Sequence, residues 1–215
     1  MDLNIFSTDS GIYRITEWIS RLVYANLLWV LFTLLGLGVF GIMPATLGLF
    51  AVINKWLNGQ ENFPVFREYW KNYKGYFWRI NLLGLIMFAI GAVLYIDLEY
   101  FQDARGALYQ LIEYLFYLFI FLYLIDLIYI FPLFLKYDIK LRYIIKNALF
   151  FALLAPAETV KIILGLAVIT LLFWRLPSLL PFLAVSLPVF LISWFSGTGI
   201  EKVEGKIREN RNSGF

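Results

Sequence analysis

No cysteine and no histidine occur among the 215 residues. Their absence removes disulfides, thiolate nucleophiles, imidazole bases and the usual zinc and haem ligands. A carboxylate-only metal site stays open in principle, but no acidic pair stands at ligand spacing in a membrane-facing cavity, and neither a metal nor another cofactor is expected. Charge is scarce as well. Asp, Glu, Lys and Arg make up 15% of the chain, whereas a soluble domain carries about a quarter. No Gly-x-x-x-x-Gly-Lys-Ser/Thr loop is present, so ATP hydrolysis would fall to a partner. The start of the chain holds Asp2, Asp9 and Glu17, with no basic start and no cleavage site. No removable signal peptide is expected there.

What remains is apolar: 61% of the residues are hydrophobic. They lie in continuous runs of the length that crosses a hydrocarbon core as a helix, about 20 residues each. Barrel strands would alternate instead. The basic residues fall on alternate connections. Lys55, Arg67, Lys71, Lys74 and Arg79 share one, Lys136, Lys140, Arg142, Lys146 and Lys161 another, and Lys202, Lys206, Arg208 and Arg211 close the chain. The connections between them hold only Arg105 and Arg175, and one carries Asp97, Glu99 and Asp103. This is the positive-inside pattern of a multi-pass membrane protein with a cytoplasmic C-terminus. The net charge of +3 therefore needs no nucleic acid to explain it.

The predicted fold is all-α: a polytopic helical membrane bundle of five spans plus a short hairpin helix, with two cytoplasmic interfacial amphipathic helices. It forms one transmembrane domain over residues 1–215, with a weak tandem repeat at 44–96 and 107–174. A charged cytoplasmic tail, 198–215, is released by Gly197 and Gly199. The first apolar stretch, 22–53, is too long for one helix. Gly36, Gly38, Gly41 and Pro44 mark a break in it. The reading is helix 16–37, a turn at 38–43, and helix 44–57 with Pro44 at its first position. That puts the N-terminus in the cytoplasm. One kinked helix with an outer N-terminus is the alternative. An amphipathic helix follows Pro64, with Phe66, Tyr69, Trp70, Tyr73 and Phe77 on one face and Arg67, Lys71 and Lys74 on the other. Gly75 is read as its elbow into a span at 78–96. Further spans are predicted at 107–135, 157–174 and 178–195, and a second basic amphipathic helix opens at Asp138.

Asp126 lies ten residues from Lys136, about 15 Å along a helix, and so near mid-membrane. A charge there costs about 2.5–3.5 kcal/mol on insertion scales. The functional reading is a proton or solute site. The structural reading is a carboxyl hydrogen-bonded between helices, with Asn26, Asn81 or Arg79 as partner. Glu113 sits nearer the outer surface. Asn26, Asn81 and Thr46 can bond across helices, and Gly38, Gly41 and Pro44 shape the turn. Arg67, Lys71, Lys74, Lys140, Arg142 and Lys146 are candidates for docking to a partner or to lipid.

The stretches RLVYANLLW (21–29), GIMPAT (41–46) and FAVINKW (50–56) resemble the YesL-like family of bacterial membrane proteins. FREYWKNY (66–73), FPLF (131–134) and KNA (146–148) are similar too. The family has no assigned molecular function. Its members, mostly from Gram-positive bacteria, are often encoded beside carbohydrate ABC importers and polysaccharide-degrading enzymes. The resemblance implies a sugar-uptake context at the plasma membrane and supplies no catalytic residues. The expectation is a non-catalytic accessory of a carbohydrate ABC importer, in contact with the lipid bilayer and with the importer's permease. A small secondary transporter using Asp126 is the alternative.

Overall fold

The computed structural model describes residues 11–102, 106–137 and 141–212. The described residues are helical and contain no strand. The helices are α1 (Gly11–Leu35), α2 (Val39–Leu57), α3 (Val65–Gln102), α4 (Ala107–Tyr137), α5 (Leu141–Leu154), α6 (Pro156–Arg175), α7 (Leu180–Leu183) and α8 (Ser186–Asn212). A short 3-10 turn, Pro177–Leu179, precedes α7. Five helices, α1, α2, α3, α4 and α6, are long and apolar enough to cross a membrane. The last apolar segment is bent by 65° between Leu183 and Ser186 and makes a sixth if counted as one span.

The chain divides into two compact units, one of residues 1–74 and 164–191, the other of 75–163 and 192–215. In the first unit, α1 and α2 form the expected hairpin, but the turn lies earlier than predicted. It occupies Gly36, Leu37 and Gly38, with Leu37 at φ 57° and Gly38 at φ 74°. Gly38 donates to the Thr33 carbonyl and its own carbonyl receives Gly41 and Ile42, which closes the turn. Helix α2 has therefore begun by Val39, and Pro44 sits inside it rather than at its first position. Gly36 and Gly41 allow the two arms to touch, since a Cβ on Gly36 would stand 2.3 Å from the Gly41 Cα.

Three further expectations are corrected. No elbow forms at Gly75, and the basic amphipathic segment and the next span are one helix of 38 residues. An isolated glycine costs a helix about 1 kcal/mol, too little to end one anchored on both sides. The final span is not straight. The charged tail is not released at Gly197 and Gly199, because α8 runs on to Asn212. Buried Ile200 and Val203 hold it in the second unit. The predicted start of the second amphipathic helix, Asp138, lies outside the described residues, although α5 itself is present.

Candidate functional site

Several polar groups of the first unit are consumed in building it, although the buried hydroxyls of Thr33 and Ser186 have no partner among the described residues. Asn26 is 1% exposed. Its amide donates to the Pro181 carbonyl at 3.0 Å and accepts from the Val185 and Ser186 backbone N–H groups at 3.1 Å each. In a continuous helix, Val185 N–H would bond the Pro181 carbonyl directly. The Asn26 side chain stands in that gap, and a group inserted in the ladder is a recognised cause of a sharp bend. Pro188, which has no N–H to offer the Ala184 carbonyl, weakens the same stretch. Thr46 bridges α1 and α2: it accepts from the Trp29 indole at 3.0 Å and donates to the Ile42 carbonyl.

The aromatic side of early α3 faces inward. Fully buried Phe32 stacks on Tyr69 at 4.7 Å and meets Phe66, Trp70 and Tyr73 within 6 Å. The Tyr69 hydroxyl donates to the Ala45 carbonyl. Gly48 makes room for this ring. Of the stripe that sequence periodicity offered as a lipid anchor, Tyr69 and Tyr73 are buried, while Phe66 and Trp70 keep much of their surface exposed. Arg67, Lys71 and Lys74 are left exposed on the other side. Glu68, on the same turns, is tied to Lys55 of α2 at 2.8 Å.

In the second unit, α4 carries a line of polar groups. The Tyr123 hydroxyl donates to the Met87 carbonyl across to α3 at 3.0 Å. Gly91 accommodates that ring, since a Cβ there would lie 2.8 Å from the hydroxyl. Asp126, 5% exposed, faces the Leu149 backbone of α5, and its Oδ1 has no hydrogen-bond partner among the described residues. Tyr129, fully buried, shares a 2.8 Å hydrogen bond with Thr159. Thr159 in turn lies 3.2 Å from the carbonyls of Ala152 and Ala155, which satisfies the break between α5 and α6.

Below this line is an ionic cluster that sequence reading missed. Glu158 is only 3% exposed and accepts from Lys202 at 2.6 Å and from Lys161 at 3.1 Å. Glu204 accepts from the Tyr137 hydroxyl and pairs with Lys136 at 3.0 Å. A pocket of about 420 Å³ opens beside Glu158, between the α5–α6 turn and α8. The signal for Glu158 was an acid in the first turn of a span with a lysine three residues on. Its second lysine, 44 residues away, had no local signature.

Other predicted candidates stand apart. Glu113 accepts from Tyr117 one turn away in α4. Asn81 donates to the Phe77 carbonyl of its own helix. The Arg79 guanidinium lies 5.2 Å above the Phe134 ring. Lys146 is exposed on α5. Lys140 lies outside the described residues, as does the side chain of Arg142.

Residues 22–98 match a family model described as "Protein of unknown function, DUF624". The chain is 43% identical to "Uncharacterized protein YteU" of Bacillus subtilis (strain 168) over 81% of its own length and 78% of the relative's. The chain belongs to the YesL-like DUF624 family. Two further relatives from the same organism are the "Uncharacterized protein YesV", 34% identical over 93% of this chain and 96% of that one, and the "Uncharacterized protein YesL", 33% identical over 76% and 77%. No solved structure matches. The stretch matched by the DUF624 model covers the Asn26 side chain, the α1–α2 hairpin and most of α3, and it ends before Asp126.

Proposed function

We propose that this DUF624 protein is a non-catalytic docking component of a carbohydrate ABC importer, seated in the plasma membrane with both termini cytoplasmic. The observation that carries the proposal is the unbroken helix α3. Its 38 residues reach about 57 Å at 1.5 Å per residue. A bilayer is about 40–45 Å thick including its headgroups. The excess fits the first turns, where Arg67, Lys71 and Lys74 are exposed while Tyr69 and Tyr73 are buried. A basic post fixed by its aromatic face presents charge outward in one geometry. An amphipathic helix lying flat on lipid would keep its aromatics for the membrane, whereas Tyr69 and Tyr73 are given to the protein and only Phe66 and Trp70 stay exposed. Placing this post in the cytoplasm follows the charge asymmetry of the connections, and the sugar-uptake context follows the family resemblance.

The test is co-purification in mild detergent with the membrane subunits of a co-expressed carbohydrate importer. Charge reversal at Arg67, Lys71 and Lys74 together should abolish it while leaving the melting temperature unchanged. Unchanged co-purification of the reversed protein would refute the docking reading. A second reading, a proton-coupled carrier, is favoured by one observation: the unpartnered, buried Oδ1 of Asp126. Sugar or proton movement by the purified chain alone in liposomes, lost in Asp126→Asn, would establish it in place of the first.

A further inference from the structure

Asp126 lies in a stretch of α4 with polar groups on one side of it only. Toward Lys136 comes Tyr129, three residues on and on the same face, with Cβ atoms about 5–6 Å apart at that spacing. The Tyr129 hydroxyl shares its 2.8 Å hydrogen bond with Thr159 of α6 and lies within electrostatic reach of the Glu158 carboxylate. The Thr159 hydroxyl is 3.2 Å from the Ala155 carbonyl, and Ala155 and Glu158 both line the pocket of about 420 Å³. Toward Glu113 the pattern is the reverse. The Tyr123 hydroxyl is given to the Met87 carbonyl, and residues 118–122 carry no polar side chain. A line of hydroxyls thus leads from the pocket toward Asp126 and ends there.

The surroundings of the carboxyl decide its charge. It is 5% exposed, faces the Leu149 backbone of α5, and leaves Oδ1 without a partner among the described residues. The basic groups of the neighbouring elements stand elsewhere. Arg79 of α3 lies over the Phe134 ring, and Lys146 of α5 is exposed. Lys161 of α6 and Lys202 of α8 hold Glu158, and Lys136 at the end of α4 holds Glu204. A buried carboxylate with no cation and an orphaned oxygen is costlier than the neutral acid. We infer that Asp126 is a proton-binding site, held as the neutral acid and exchanging its proton with the pocket beside Glu158 through Tyr129 and Thr159. Each hydroxyl passes one proton on as it takes one up, and pocket water is the terminal acceptor or donor. A site reached from one side binds a proton without carrying it across, so the inference does not rest on the carrier reading and stands beside the docking one.

Infrared spectroscopy of the purified full-length chain at neutral pH tests both halves of the inference. Wild type should show the C=O band of a protonated carboxylic acid, moving to lower frequency as D₂O replaces the proton, and Asp126→Asn should lose that band. Thr159→Val removes the hydroxyl while keeping the shape of the side chain. It should slow the D₂O shift by about a hundredfold, the low end of what a positioned proton-transfer group contributes, whereas Thr159→Ser should exchange as wild type does. Should Thr159→Val fail to fold, Tyr129→Phe replaces it in the same measurement. A spectrum that Asp126→Asn leaves unchanged would mean an ionised Asp126 and would overturn the inference. An unaltered exchange rate in Thr159→Val or Tyr129→Phe would overturn the route from the pocket.

Discussion

Replacing Asn26 by alanine should be among the most damaging single changes in the first unit. The side chain is 1% exposed. It satisfies two backbone N–H groups and one carbonyl at the bend between α7 and α8. Side-chain hydrogen bonds inside membrane proteins average about 0.6 kcal/mol each, so three give about 2 kcal/mol as a floor. Leaving buried groups unsatisfied costs about 1–3 kcal/mol apiece. Part of that is recoverable, because Val185 N–H can close on the Pro181 carbonyl once the amide is gone. Ser186 N–H then remains the main orphan. The expected cost is about 2–4 kcal/mol. For a chain of this length each kcal/mol moves the melting temperature by about 2–4 °C, so the midpoint in detergent should fall by about 5–15 °C. The assay is thermal unfolding followed by tryptophan fluorescence. A midpoint for Asn26→Ala within about 2 °C of wild type would show that the bend is held by its prolines and that the amide is incidental.

Gly36→Ala should cost about 1–3 kcal/mol by overpacking, because its Cβ would press on the Gly41 backbone. Gly38→Ala, in open space but at positive φ, should cost only about 1 kcal/mol; thermal melts of the pair rank the two effects. Glu158→Gln should loosen the end of α8 and speed tryptic cleavage at Lys202 and Arg208, read by timed proteolysis. Wild type should approach the same rate in high salt, since both lysine partners are half exposed or more. Asp126→Leu should leave stability unchanged or raise it by about 1–3 kcal/mol, because an unpaired buried oxygen is removed. A clear loss in a detergent melt would mean that the contact of the carboxyl with the Leu149 backbone outweighs its unpaired oxygen.

Much of the architecture was legible because bilayer thickness and charge act on every residue of a span. The long apolar runs around Leu83, Ile125 and Ile162 became α3, α4 and α6, and the glycines at 36, 38 and 41 did mark a hairpin. What escaped were choices settled by particular contacts. Pro44 reads as a helix start, but the hydrogen bonds around Gly38 close the turn several residues earlier. Gly75 reads as an elbow, yet Tyr69 and Tyr73 on one side and Ile80 and Leu83 on the other are buried and hold the helix through it. Asn26 was expected to bond across helices. Nothing local said that it would enter the ladder of a segment about 155 residues away. Glu158 was invisible as a site because its Lys202 partner comes from α8, and the C-terminal segment read as a free charged tail. For Asp126 the structural alternative to a proton or solute site named Asn26, Asn81 or Arg79 as its partner, but the carboxyl faces the α5 backbone at Leu149.

The docking account is tested most directly by site-specific photocrosslinking in intact cells that express the carbohydrate importer. A photoreactive residue is placed in turn at Arg67, Lys71 and Lys74, all exposed on α3, and at Glu99, exposed near its other end. The account predicts sugar-inducible crosslinks from the three basic positions to an importer membrane subunit and none from Glu99. Crosslinks only to lipid from Arg67, Lys71 and Lys74, in cells where the importer is present and active, would contradict it.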